Sequence, residues 1–184
     1  MNEVLKVIKS RRSVRAYKPE QIKQEELDLI LEAAIYAPSG SNAQPWHFTV
    51  IQDRKVISHL NDVAKDVLAK SGNEYGKKLT SNPGFDITYG APTLIIVSNK
   101  KGMPSASADC SAAIQNILLA AESLNIGSVW LGLIRAAFQI DGEAEKIKVP
   151  EEYEPFYGVA LGYNQSDEKR EAPERKSGVV NYIK

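Results

Sequence analysis

Ala37-Pro38-Ser39-Gly40-Ser41-Asn42-Ala43-Gln44-Pro45-Trp46, taken with Arg11-Arg12-Ser13-Val14-Arg15 upstream, is the stretch on which the reading of this chain turns. The upstream segment packs three guanidiniums and a hydroxyl into five residues. Arginines can grip a phosphate through two parallel hydrogen bonds. In the longer segment small residues let backbone N–H groups approach a ligand, and the amides of Asn42 and Gln44 can read the edge of a ring. Trp46-His47-Phe48 follows at once, so the loop ends in aromatics, as a shelf for a planar heterocycle would. Each segment also has an ordinary reading. The first is a solvated basic turn where a helix ends, which the helix dipole favours. The second is a helix-to-strand connection rich in turn formers.

Outward from these segments, Val4, Leu5, Val7 and Ile8 mark a short amphipathic helix that ends near the arginines. Leu27, Ile30, Leu31, Ala34 and Ile35 predict a helix over 25–37, with acids in its first turn and Pro38 as its stop. Trp46 to Ile51 reads as a strand and Lys55 to Lys70 as a helix. Ser71 to Gly90, with Gly72, Gly76, Pro83 and Gly84 among polar residues, reads as a mobile lid or a frayed helix. Thr93 to Ser98 is a buried strand, Ala106 to Leu124 a central alanine-rich helix, and Ser128 to Ile134 and Phe156 to Tyr163 two further buried strands. Helices and strands mix without strict βαβ alternation, which predicts an α+β fold in one domain over 1–184. The tail from Asn164 to Lys184 is polar except for Val179-Val180-Asn181-Tyr182-Ile183, an apolar patch that needs a sheet edge or a second chain to cover it.

Composition narrows the function. With 23 basic and 23 acidic residues in 184, the chain lacks the basic excess of a nucleic-acid binder. Cys110 stands alone, so no disulfide framework is expected, and two histidines with one cysteine do not assemble a closed zinc site. Met1 to Ser10 carries Lys6 and Lys9 in place of the apolar run of a signal peptide, and no apolar stretch is long enough to span a bilayer. A cytoplasmic protein is the expectation.

Gly127-Ser128-Val129-Trp130-Leu131-Gly132 reads in two ways: a helix C-cap glycine leading into a strand, or backbone laid against a ligand face. It lacks the spacing of a dinucleotide fingerprint, and the chain has no G-x-S-x-G elbow, P-loop or H-E-x-x-H. His47 reads as a strand residue beside Trp46, His59 as a surface helix position, and Asp109 and Cys110 as helix packing. An enzyme so equipped must take its chemistry from an organic cofactor.

The chain resembles the FMN-dependent nitroreductase family. The likeness is carried, in the family's order, by the two opening segments, Gly90-Ala91-Pro92, Gly127 to Gly132 and Ala160-Leu161-Gly162-Tyr163. It implies a central mixed, mostly antiparallel sheet packed with helices, and an intertwined homodimer with FMN at its interface. By the resemblance Arg11 and Ser13 face the FMN phosphate or ribityl chain, joined by Arg175 or Lys176, with Arg12 along the ribityl chain. Arg15 reaches the pyrimidine edge near N1 and O2. Pro38, Ser39, Ser41 and Asn42 come from the partner subunit, with Gln44 in the same shelf. Val129, Trp130, Leu131 and Gly132 lie beside the isoalloxazine, and the apolar tail wraps the other protomer.

The implied activity is ping-pong hydride transfer from NADH or NADPH through flavin N5 to nitroaromatic, quinone or related acceptors. No side chain acts as acid or base, and a cation at Arg15 favours the reduced flavin, whose N1 tends to be anionic. The same fold also implies rivals: an enone reductase, dehalogenase or peptide dehydrogenase, or a flavin-binding module with little turnover. The segment before Gly90 departs from the family's better-known members and leaves Asn73 and Lys77 without an assigned role.

Overall fold

The apolar runs become a four-stranded antiparallel sheet. Strands β1 (Trp46–Ile51), β2 (Thr93–Lys100), β3 (Gly127–Leu131) and β4 (Tyr153–Gly162) lie in the order β1-β2-β4-β3. The computed structural model describes residues 2–72, 74–166 and 171–184. Asn73 and residues 167–170 of the expected tail lie outside these.

Both faces of the sheet are covered, which is why its central strands read as unbroken apolar runs. Successive residues of β2 enter opposite cores. Leu94 and Ile96 join Val129, Leu131 and Ala160 on one face, and Ile95 and Val97 join Trp46, Val159 and Leu161 on the other. The first face packs against α3 (Arg54–Lys70) through Ile57, Leu60, Ala64 and Leu68. The second packs against α2 (Gln24–Ile35) and α5 (Ala106–Ser123). Helix α2 starts as its acids predict: the Lys23 amide donates to Glu26 Oε2 at 2.9 Å. The first helix, α1 (Glu3–Ser10), is capped by Asn2, whose side chain accepts from the Leu5 amide at 3.0 Å. It buries no residue and leaves Val4, Leu5 and Ile8 exposed.

Three expectations need correction. The strand expected over Ser128 to Ile134 stops at Leu131, because Gly132 turns into helical dihedrals (φ −75°, ψ −37°) and Leu133–Gln139 forms a 3-10 helix. Gly127 is not the cap of α5. Asn125 takes the left-handed position (φ 58°), and the Ile126 amide closes the helix on Ala121 O at 2.8 Å. Nor is 71–90 simply a lid or a frayed helix. It contains a short helix, α4 (Glu74–Thr80), and then a tied turn in which the Asp86 carboxylate accepts from Thr88 N and Oγ1, both at 2.7 Å, and from Gly90 N at 2.8 Å.

His59 is exposed on α3, as expected, and it also reaches a buried partner. Its Nε2 lies 2.8 Å from Oε2 of the buried Glu143, the first residue of α6 (Glu143–Lys146), and Lys146 Nζ donates to Glu143 Oε1 at 2.6 Å. Burial pushes the Glu143 carboxyl up, but the hydrogen bonds from Lys146 and His59 outweigh it and hold the group below its ordinary value. This cluster binds α6 to α3. Residues 171–184 run without helix or strand, with Val179, Val180, Tyr182 and Ile183 exposed. Among the described residues no helix is long and apolar enough to cross a membrane.

Candidate functional site

The arginine segment is laid along the sheet as a strip. Ser13 forms a parallel bridge with Ser128, and the Val14 amide donates to Ser128 O at 3.0 Å. Further on, Tyr17 bridges Asn164, Lys18 N donates to Tyr163 O at 2.9 Å, and Gln165 N donates to Ala16 O at 3.1 Å. Two glycines permit this approach. A Cβ on Gly127 would stand 2.8 Å from Val14 Cγ1, and one on Gly162 would stand 2.7 Å from Pro92 Cδ and 3.0 Å from the Tyr17 ring.

The strip fixes a cluster of like charges. Arg11 begins where α1 ends, with its amide on Val7 O at 3.0 Å. Its half-buried guanidinium is held below its ordinary pKa by burial first and then by Arg12 and Arg175, while Glu122 pulls the other way. Arg12 Nη1 donates to Lys9 O (2.8 Å) and Arg11 O (2.7 Å), whereas its buried Nε finds no partner. A buried donor left unpaired and cations held together despite repulsion make a setting that an anion would relieve. The charge of Arg175, from the far end of the chain, also acts on Arg11.

Arg15 is exposed, and its guanidinium carbon lies 5.7 Å from the centroid of the Tyr89 ring. The buried Tyr17 hydroxyl donates to Val14 O at 2.8 Å. Burial pushes that phenol far above its ordinary range, with Tyr89 adding to the rise and Arg15 opposing it.

The amide loop is a separate construction. Ser41 (φ 53°), Asn42 (φ 55°) and Gln44 (φ 46°) are all left-handed without being glycine, which is strain concentrated in one short turn. Ser39 Oγ accepts from the Gln44 amide at 3.0 Å, and Gln44 Nε2 donates to Asn42 Oδ1 at 3.2 Å. Gly40 N reaches both oxygens of the buried Asp109 at 3.3 Å. Pro38, Ser41, Asn42 and Gln44 are exposed. Asp109 is thus the anchor of the loop. Its neighbour Cys110 is inert, since burial, with Asp109 beside it, pushes the thiol up to about 12.

One protomer keeps the two segments apart. The loop is anchored at Asp109, near the start of α5, whereas Ser10 Oγ donates to Glu122 Oε1 at 2.6 Å near its end. Those positions are about 20 Å apart at 1.5 Å per helical residue.

Of the expected ring-facing residues, Val129 and Leu131 send their side chains into the core. Trp130 is half-buried and meets the Tyr157 ring edge-on at 5.4 Å. Gly132 is exposed, and a Cβ there would meet only Tyr157 Cε1, at 3.9 Å. This stretch can offer a ligand its backbone and an open glycine, little more.

Against known proteins, the family model described as "Nitroreductase family" matches residues 8–163. An Archaeoglobus fulgidus protein, named provisionally as an NADH dehydrogenase/NAD(P)H nitroreductase, is 38% identical over 169 residues, covering 92% of this chain and 89% of its own. The FMN reductase [NAD(P)H] of Bacillus subtilis is 29% identical over 195 residues, covering 99% of this chain and 74% of its own. A crystal structure of a nitroreductase with bound FMN from Bacteroides fragilis superposes with a TM-score of 0.92 at 36% identity, covering 100% of both chains.

Proposed function

The chain belongs to the nitroreductase family, and from that premise we propose that it is an FMN-dependent NAD(P)H oxidoreductase, working as a homodimer with FMN at the interface. Nitroaromatics, quinones and related compounds are its acceptors. The observation that carries this reading is the separation along α5 of two half-sites, each incomplete alone. A cationic cluster with an unpaired buried donor stands at one end, and a strained, exposed amide shelf stands at the other. A second copy of the chain brings the shelf of one protomer to the arginines of the other. The exposed apolar residues of α1 and of the tail, Val4, Leu5, Ile8, Val179, Val180 and Ile183, are the surface such a partner covers.

The residues suit FMN. Arg11 and Arg175 would neutralise its phosphate, with Ser13 beside them, and Arg12, along the ribityl chain, would supply in its unpaired Nε a donor already desolvated. Arg15 would offer positive charge to the pyrimidine edge. Pro38, Ser39, Ser41, Asn42 and Gln44 of the other protomer would close the ring's surroundings, held in place by Asp109. Gly132, exposed and with only Tyr157 within 4 Å of a Cβ there, would lie against a flat ring. FMN, when bound, supplies the hydride chemistry, accepting from NADH or NADPH and passing reducing equivalents to the acceptor. The protein contributes position, charge and exclusion of water, and no side chain need carry a proton in the transfer. A cytoplasmic place follows from the nicotinamide donor.

Anaerobic addition of NADH or NADPH to the purified flavoprotein tests the activity. Bleaching of the flavin band, and its return with a nitroaromatic or quinone, is the expected result. A bound flavin that neither donor bleaches would mark a binding module instead.

A further inference from the structure

Arg15 is the one arginine of the opening segment that stands clear of the phosphate cluster, and the structure surrounds it in an unusual way. Among the described residues no hydrogen bond or ion pair is made by its guanidinium, which lies 5.7 Å from the Tyr89 ring centroid. An aromatic face holds a cation without neutralising it and leaves the N–H fork free for a ligand. A carboxylate in the same place would cancel the charge.

Tyr89 is itself held in a costly conformation. Its φ is 56° and that of Gly90 is 70°, two left-handed residues in succession, the first of them bulky. The turn that imposes this is over-determined. Asp86 accepts three hydrogen bonds from Thr88 and Gly90, Tyr89 N donates to Asp86 O at 3.2 Å, and the buried Ile87 N donates to Asn61 Oδ1 at 2.9 Å. Strain kept by so many ties usually serves a placement. What it places is a ring, half-buried, at the guanidinium of Arg15.

We infer that Tyr89 is a positioning residue: its ring, presented by the Asp86 turn, fixes the un-neutralised Arg15 guanidinium where it favours the reduced state of the flavin. This rests on the FMN reading above. Reduction adds negative charge to the ring system, so a cation held at its edge binds the reduced form more tightly than the oxidised form and raises the potential. A guanidinium free to swing into solvent is screened and does less.

The test is the midpoint potential of FMN bound to the full-length protein, measured in equilibrium with a reference dye. Tyr89→Leu should weaken the preference for reduced over oxidised FMN roughly tenfold, a fall of about 30 mV for a two-electron couple. Tyr89→Phe, which keeps the aromatic face, should hold the parent potential. In an Arg15→Gln background, already lowered, Tyr89→Leu should add nothing. An equal shift in that background would show that Tyr89 acts by packing alone and would overturn the inference. So would an Arg15→Gln protein with the parent potential, a readout that stands even if Tyr89→Leu fails to fold. Failure of the parent protein to bind FMN at all would instead defeat the FMN reading on which the inference stands.

Discussion

Arg11→Ala should weaken FMN binding by about 1.5–3 kcal/mol, the worth of a charged hydrogen bond, or roughly 10- to 150-fold in Kd. The same change should leave the FMN-free protein as stable as before, or slightly more so. That pairing is the informative part. In the absence of an anion the Arg11 guanidinium is penalised, by burial and then by Arg12 and Arg175, so its folded pKa lies below its unfolded one. A cation so placed costs the fold free energy at neutral pH, and removing it relieves Arg12 and Arg175 of a like charge. A bound phosphate reverses the balance. Fluorescence titration with FMN and thermal unfolding without it check the two halves. Unchanged FMN affinity would remove Arg11 from the phosphate site, and a large loss of stability without FMN would make it a structural residue.

Gly127→Ala should cost about 1–3 kcal/mol of stability, in the range of overpacking a filled site, and should lower FMN affinity as well. The added methyl would stand 2.8 Å from Val14 Cγ1, 3.0 Å from Val14 Cβ and 3.1 Å from Gly162 O. None of these yields easily. Valine is stiff about χ1, the Val14 amide is bound to Ser128 O, and Gly162 belongs to β4. If the contact is relieved, the strip must lift from β3, taking Ser13 and Arg15 with it. Gly72→Ala is the control, since nothing lies within 4 Å of a Cβ there. Thermal unfolding and FMN titration of both variants would show the contrast, and a Gly127→Ala protein matching the control would disprove the close approach.

Much of this arrangement was legible in the chain. Strand β1 appears at its expected bounds, and the other two-faced strands show as unbroken apolar runs. Helices α2, α3 and α5 show through their spacing. The misreadings have physical causes. Leu133 and Ile134 prolong the apolar run past Gly132, so the 3-10 helix looks like more strand. Asn125, which takes the left-handed cap, lies two residues before a more obvious glycine. Asp109 and Glu143 anchor segments far away in sequence, Gly40 and His59, and a lone acid carries no sign of its partner. Tyr89 was silent for the same reason. Its value lies in a backbone conformation and in Arg15, 74 positions upstream.

The proposed division of the site between two subunits was least legible of all. Local pattern picks out both the arginines and the amide shelf, but nothing local says that α5 holds them apart. Only the resemblance to the family assigned the shelf to a second subunit. That division is the central claim, and mixing two defective proteins tests it. Arg11→Ala and Asn42→Ala should each hold FMN poorly as homodimers. Unfolded together and refolded, they should form mixed dimers in which one site carries both changes and the other neither. Recovery of tight FMN binding, at up to one flavin per mixed dimer, is the predicted result. If the mixture binds no better than the two parents, with mixed dimers shown to be present, both residues act within one protomer and the shared site is contradicted.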